Sequence, residues 1–140
     1  MENLLDEFET PRPESINFFL DVISNHQSVK AVEQIGLPLF KVTKQNNSEL
    51  IALLVNIYIL SESELFDLYS RYPKIDVIVN SSNWNQYTLS AKALAKENKI
   101  GLFSFKEFMG ALNYDNKDFF ISYISPEERK RNKENNRTAL

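Results

Sequence analysis

Hydrophobic residues recur along most of this chain at one of two spacings. Between residues 14 and 25 they stand three and four positions apart, which is typical of a helix that buries one face, and Pro13 suits the first position of that helix. Residues 37–44 alternate apolar with polar side chains, as a half-buried strand does. Residues 49–60 are almost wholly apolar, and β-branched or aromatic toward their end, which predicts a strand covered on both faces.

Continued along the chain, the pattern predicts an alternation of helices and strands. Ser61 and Glu64 have the spacing of a capping box, which marks the start of a helix that Pro73 ends. The predicted order is helix 14–25, strands 28–34, 37–44 and 49–60, helix 61–72, strand 76–79, helix 85–98, strand 100–103 and helix 105–112. Residues 2–8 predict a short arm helix, residues 119–124 fit either helix or strand, and Ser125-Pro126 predicts a further helix start.

The size of the chain limits its organisation. With 140 residues and 43% apolar content it can build one globular core. We expect a single domain with an amino-terminal arm over residues 1–125, and a polar basic tail, partly helical or disordered, over residues 126–140. No apolar run approaches the roughly 20 residues that span a bilayer, and the amino terminus is acidic where a secretory signal would be basic. These features predict a cytoplasmic protein with no membrane partner.

Charge is distributed unevenly along the chain. The net charge is −3, but residues 1–125 hold 11 basic against 16 acidic side chains, whereas residues 126–140 hold five basic against three acidic. Phosphate neutralisation supplies most of the non-specific affinity for nucleic acid. Any nucleic-acid contact therefore has to use a local patch or the tail.

The segment from residue 74 to 113 is the most informative. It runs from a buried strand through a Ser/Asn loop into a helix with Thr88 near its start and the pattern Ala91-Lys92-x-Leu94-Ala95-x-Glu97, and then into a strand that begins Ile100-Gly101-Leu102. Together with the element order of residues 14–113, this resembles the PD-(D/E)xK restriction-endonuclease-like superfamily, most nearly its Mrr-like branch. The resemblance implies an α/β fold, with a mixed central sheet flanked by helices in the order α-βββ-α-β-α-β-α and a carboxy-terminal extension.

The catalytic motif of that superfamily is missing from this chain. In active members an aspartate on the second core strand and a Glu-x-Lys on the third hold a divalent cation and a lysine against the scissile phosphate. The resemblance places the aspartate near Pro38 or Leu39, the glutamate at Leu54 and the lysine at Asn56. A shift of register does not restore the motif, because residues 50–58 contain no Asp, Glu or Lys. We therefore assign no catalytic residue.

Carboxylates elsewhere offer an alternative. Glu33 and Glu49 would approach one another if they pointed to the same face of the sheet, and Glu14 could join them from the first helix. Lys41 and Lys44 would then be available for phosphate contacts. The simpler interpretation of all five residues is solvated surface, so we assign no metal site.

Other chemistries have weaker support. His26, the single histidine, stands at the end of the first long helix, where a cation is favoured by the helix dipole. With three glycines in all, the chain has no glycine-rich phosphate loop, and it has no Gly-x-Ser-x-Gly elbow. We expect no cofactor.

One polar cluster contains an aromatic residue that could stack on a base. It follows the buried strand 76–79, at the place where α/β proteins gather ligand-binding groups. The candidate nucleic-acid-binding residues are Asn83, Trp84, Tyr87, Thr88 and Lys92, with Arg129, Lys130, Arg131 and Lys133 of the tail. The structural alternative is that Ser82, Asn83 or Asn85 caps the helix and Trp84 covers the edge of the core.

The resemblance and the missing motif together predict a catalytically inactive nuclease-like domain. Such a domain would act as a nucleic-acid-binding or interaction module, and the family suggests a DNA-processing or mobile-element setting. The first alternative is a metal-dependent nuclease with displaced carboxylates. The second is a protein-interaction or assembly module without nucleic acid, which the acidic body favours. DNA or RNA would bind with low affinity, and a protein partner or a homodimer is left open.

Overall fold

A computed structural model describes residues 3–81, 86–126 and 129–130. Its helices are α1 (Pro13–Ser24), α2 (Glu62–Arg71), α3 (Leu89–Glu97), α4 (Phe105–Ala111) and α5 (Lys117–Ser122). Its strands are β1 (Val29–Gly36), β2 (Leu39–Lys44), β3 (Glu49–Val55), β4 (Ile59–Leu60), β5 (Val77–Asn80), β6 (Gln86–Tyr87) and β7 (Gly101–Ser104).

The central sheet has five strands in the order β1-β2-β3-β5-β7. β1, β2 and β3 form an antiparallel meander, whereas β3, β5 and β7 run parallel. The parallel strands are joined by crossovers that contain α2 and α3, as a parallel pair requires. The predicted α/β class, with a mixed sheet flanked by helices, is confirmed.

Helices cover both faces of this sheet. Phe19 and Ile23 of α1 pack with Phe108 of α4 in one core cluster, on the face to which Leu54 belongs. The residues on either side of Leu54 in β3 belong to the opposite cluster, which α2 and α3 cover. Because successive side chains of a strand point to opposite faces, burial on both sides explains why β3 is apolar throughout its second half.

The predicted strand over residues 49–60 is two strands. β3 ends at Val55, and β4 pairs in parallel with β6 in a separate two-stranded sheet. The side chain of Asn80 bonds to both the N–H and the C=O of Ile57, so the chain turns away from the central sheet there. Asn80 also donates to the Gln86 carbonyl in β6, and the predicted helix 85–98 begins only after β6, at Leu89.

The predicted helix of the amino-terminal arm is wrong for the residues that the structure describes. Residues 3–10 form turns instead, in which Asp6 accepts hydrogen bonds from the N–H groups of Glu9 and Thr10. The arm is held to α2, since the Leu4 N–H donates to the Tyr72 hydroxyl at 2.7 Å and Arg71 donates to the Leu4 carbonyl.

The carboxy-terminal part of the chain contains α5 and further helical residues after Ser125. Asn116 caps α5 by accepting from the N–H groups of Asp118 and Phe119, so residues 119–122 of the undecided segment are helical. Pro126, Arg129 and Lys130 are also helical, and the Arg129 N–H donates to the Ser125 carbonyl. The rest of the predicted tail lies outside the described residues.

Across the described ranges, the helices are all too short or too polar to pass through a lipid bilayer.

Candidate functional site

The carboxyl ends of β3, β5 and β7 meet at one edge of the sheet. In parallel α/β sheets this edge is where ligands usually bind. Val55, Asn80 and Ser104 end the three strands and lie in register with one another. The polar cluster predicted from the sequence begins at this edge, and so does the segment that follows β3.

Asn80 is a structural residue at this edge. Its side chain is fully buried, and its Oδ1 accepts from the Ile57 N–H at 2.9 Å. Its Nδ2 donates to the carbonyls of Ile57 at 2.6 Å and Gln86 at 3.1 Å. A buried amide needs such partners, and here they fix β4 and β6 beside the end of the main sheet.

Glu107 is a buried carboxylate that accepts hydrogen bonds near this edge of the sheet. It stands three residues after Ser104 and completes a capping box at the start of α4. Although its side chain is buried, its Oε1 accepts from the Tyr87 hydroxyl at 2.7 Å, and its Oε2 accepts from the Ser125 N–H at 3.2 Å. Glu107 therefore joins β6, α4 and the start of the carboxy-terminal tail.

Lys92 lies inside the molecule. Its Nζ donates to the carbonyls of Leu102 at 2.6 Å and Tyr123 at 3.0 Å, and it is 3.9 Å from Glu107. The ammonium also lies 4.2 Å from the centroid of the Phe103 ring, within the range of a cation–π contact. These contacts hold the amine in the interior, so the prediction that Lys92 lies on a nucleic-acid-binding surface is wrong.

Four of the other candidate binding residues are described by the structure. The Tyr87 hydroxyl points to Glu107, and Thr88 caps α3 by accepting from the Ala91 N–H at 3.1 Å. Arg129 and Lys130 are exposed. Asn83, Trp84, Arg131 and Lys133 lie outside the described residues.

The positions where the sequence resemblance would place a catalytic motif lie together in the structure. The Leu54 N–H donates to the Pro38 carbonyl at 3.1 Å, so these two positions are neighbours across β2 and β3. Leu54 is completely buried. Asn56 follows the last residue of β3, and its N–H donates to the Glu9 carbonyl of the arm.

The alternative carboxylates do not converge. Glu33 pairs with Lys41 across β1 and β2 at 3.6 Å, while Glu49 is exposed at the start of β3 and Glu14 is exposed in the first turn of α1. Within residues 3–81, 86–126 and 129–130, no three His, Asp or Glu side chains are close enough together to hold a metal ion. The relocated site considered from the sequence is therefore not formed by these residues.

His26 and Lys44 have structural contacts. The Nδ1 of His26 accepts from the Ser28 N–H, so its Nε2 donates to the Met109 carbonyl at 2.8 Å and links α1 to α4. Lys44 is buried rather than outward-facing: its Nζ donates to the Tyr114 carbonyl and pairs with Asp115 at 3.0 Å.

An open groove of about 460 Å³ lies beside the end of β3. We call it the arm groove, and its lining residues are Phe8, Glu9, Asn56, Ile57, Tyr58 and Glu64. It combines two strongly exposed aromatic side chains with two carboxylates, a composition that suits recognition of another molecule.

Both groove carboxylates are held in the ionised form. The pKa of Glu9 lies below its ordinary value, chiefly because Arg71 donates hydrogen bonds to both of its oxygens at 3.1 Å. The pKa of Glu64 is also lowered, chiefly by the hydrogen bond from the Ser61 hydroxyl in the cap of α2. Arg71 pairs with Asp67 as well, so it is shared among acidic neighbours.

Comparison with protein-family models, with curated proteins and with solved structures gave no match for this chain. Its function must therefore be argued from its own residues.

Proposed function

We propose that this chain is a catalytically inactive restriction-endonuclease-like domain that acts by binding another molecule. The observation that carries the proposal is the position of Leu54, completely buried in the central strand where active members place the metal-binding glutamate. The strand order supports the same family, because an antiparallel meander is followed by parallel strands through helical crossovers. The contact between Pro38 and Leu54 supports the predicted register of the lost motif.

The surface of the body favours a protein as that molecule. Lys44 and Lys92 have their amines inside the fold, which lowers the cationic surface of a body that is already acidic. Phe8, Tyr58 and Phe66 are 83%, 71% and 61% exposed. Exposed aromatic side chains of this size are enriched at protein interfaces.

A cleavage assay tests the absence of catalysis. The full chain is incubated with supercoiled, linear and single-stranded DNA and with RNA, in Mg²⁺ or in Mn²⁺. We expect no cleavage, because the third core strand lacks the ligand types that such a site requires. Cleavage that stops in chelator, and that also stops in Glu33→Ala or Glu49→Ala, would show that displaced carboxylates form an active site.

Nucleic-acid binding is the second candidate function. It is favoured by the exposed Arg129 and Lys130, which belong to the tail, where basic side chains outnumber acidic ones. The proposed surface consists of these residues with Asn83, Trp84, Tyr87, Thr88, Arg131 and Lys133. Lys92 is left out because its amine is buried.

Fluorescence anisotropy separates the two candidates. If the tail binds phosphate, truncation after Ser125 should weaken binding equally for all sequences, and affinity should fall steeply with salt. Trp84→Ala should weaken single strands more than duplex, because an aromatic ring stacks on unpaired bases. No binding of DNA or RNA at low salt would leave a protein as the partner.

A further inference from the structure

The aromatic side chains of the arm groove are unusually accessible. Phe8, in the turns of the arm, and Tyr58, between β3 and β4, both line the groove with most of their surface open to solvent. Phe8 belongs to an arm whose contacts with α2 position the turn that carries it. Two rings on an anchored framework present π faces to a ligand at low cost in conformational entropy.

The two carboxylates of the groove, Glu9 and Glu64, differ in how many of their oxygens accept hydrogen bonds within the protein. Glu9 has both oxygens on Arg71, whereas the two capping hydrogen bonds of Glu64, from the N–H and the hydroxyl of Ser61, both fall on its Oε2. The Oε1 of Glu64 takes no part in the cap. Glu64 therefore keeps a charged oxygen at the groove that could accept from a ligand.

The surroundings of the groove favour a cation. Residues 3–11 and 56–70, which supply its walls, contain six Asp and Glu side chains and no Lys or Arg. Arg12 and Arg71 adjoin these two stretches in sequence, but neither lines the groove, and Arg71 already pairs with Glu9 and Asp67. The positive amino-terminal end of α2 is met by Glu62 and Glu64 of its own first turn. The charged residues that line the groove are both acidic, so a cation is favoured there over a phosphate or another anion.

We infer that the arm groove binds a basic peptide segment of a partner protein, with an arginine side chain against Phe8 and Tyr58 and paired with Glu64. A guanidinium fits this lining because it stacks on aromatic faces and donates to a carboxylate at the same time. The inference rests on the proposed function, since it names the partner of the binding module. Cleavage of nucleic acid would refute the binding module itself, whereas the peptide experiment below tests only the groove.

The experiment uses a fluorescein-labelled hexa-arginine peptide and the full chain, with hexa-glutamate as the matched anionic probe. We expect saturable binding of hexa-arginine and none of hexa-glutamate. Phe8→Ala and Tyr58→Ala should each weaken binding about threefold, the scale of one exposed cation–π contact, while Tyr58→Phe should retain it. Amide chemical shifts of Asn56, Ile57 and Tyr58 should move on titration.

Charge is tested without loss of the helix cap. Glu64→Gln can still accept from Ser61, since glutamine also serves in capping boxes, but it removes the negative charge. It should weaken binding several-fold and reduce the dependence on salt. The matched controls are Glu33→Gln, an exposed carboxylate on β1, and Phe119→Ala, an exposed ring on α5, and both should bind like the parent.

Two results would overturn the inference. One is the absence of hexa-arginine binding at low salt while thermal melting shows that the chain is folded. The other is equal weakening by the groove variants and by Glu33→Gln and Phe119→Ala, which would mean that the peptide follows the general acidity of the body.

Discussion

Replacement of Leu54 by glutamate is the sharpest test of the fold. Leu54 is completely buried in β3, between β2 and β5, and belongs to the core cluster that contains Phe19, Phe40 and Val79. The variant places a carboxylate at the position where the proposed family resemblance predicts the catalytic acid. The residues of that cluster are all hydrophobic, so a carboxylate at position 54 would enter an apolar environment.

The expected loss of stability is large. Removing the leucine side chain from the core forfeits its transfer free energy, about 2 kcal/mol. An unpaired carboxylate in an apolar site costs several kcal/mol more, which it lowers by remaining protonated. The sum is about 4 kcal/mol or more, a substantial part of the 5–15 kcal/mol that usually stabilises a domain.

Urea denaturation followed by circular dichroism measures this loss. Burial should raise the pKa of the new carboxyl group above its unfolded value, so the variant should be less destabilised at pH 5 than at pH 8. Leu54→Met, which conserves volume, should cost less than about 1.5 kcal/mol. Leu89→Glu, in the exposed first turn of α3, should change stability by no more than about 0.5 kcal/mol.

One outcome would refute the reasoning. If Leu54→Glu unfolds at the same urea concentration as the parent, with the same dependence on urea, residue 54 is not in a central buried strand. The proposal that a core leucine stands where active nucleases carry their catalytic acid would then be refuted.

Further variants test the polar contacts. Glu107→Ala should destabilise by about 3–5 kcal/mol in urea denaturation, since it leaves a buried ammonium without its nearby carboxylate; a loss below about 1 kcal/mol would contradict this. Glu9→Gln should reduce the loss of stability at acid pH. The lowered pKa of Glu9 stabilises the fold at pH values above the ordinary carboxyl pKa, and this stabilisation is lost as the pH falls through the folded-state pKa. An unchanged acid transition would show that the pair with Arg71 adds nothing. Gly110→Ala should lower the melting temperature, because the new Cβ would overlap the Tyr123 ring; in a Tyr123→Ala background it should be neutral or stabilising, since alanine favours a helix by about 1 kcal/mol.

Local periodicity was enough to predict most of the main elements. The burial of Leu54 followed from an apolar run that only a sheet covered on both faces explains. The division of the predicted strand 49–60 into β3 and β4 could not be predicted in this way, because β4 consists of two residues whose partner, β6, is distant in sequence. Turns in the arm replaced a predicted helix, since Asp6 and Tyr72 satisfy its N–H groups in another way.

The buried polar residues were harder to predict. Glu107 carried a detectable signal, because Ser104 and Glu107 have the same capping-box spacing that was recognised at Ser61. Its burial depends on Tyr87 and Ser125, which approach it only in the folded chain. Lys44 is the last residue of an alternating strand, and the Tyr114 carbonyl that it contacts is 70 residues away in sequence. No local pattern therefore predicts that Lys44 is buried.

Because the amines of Lys44 and Lys92 are buried, covalent labelling of these lysines can report whether the domain is folded. Each donates to a backbone carbonyl and is nearly inaccessible to solvent, so neither can present a free electron pair to an acylating reagent while the domain is intact. Exposed lysines such as Lys30, Lys74 and Lys96 should react at once with an N-hydroxysuccinimide ester. Mass spectrometry of the modified peptides would then follow local opening at two separate places, one at the end of β2 and the other in α3, without any added probe.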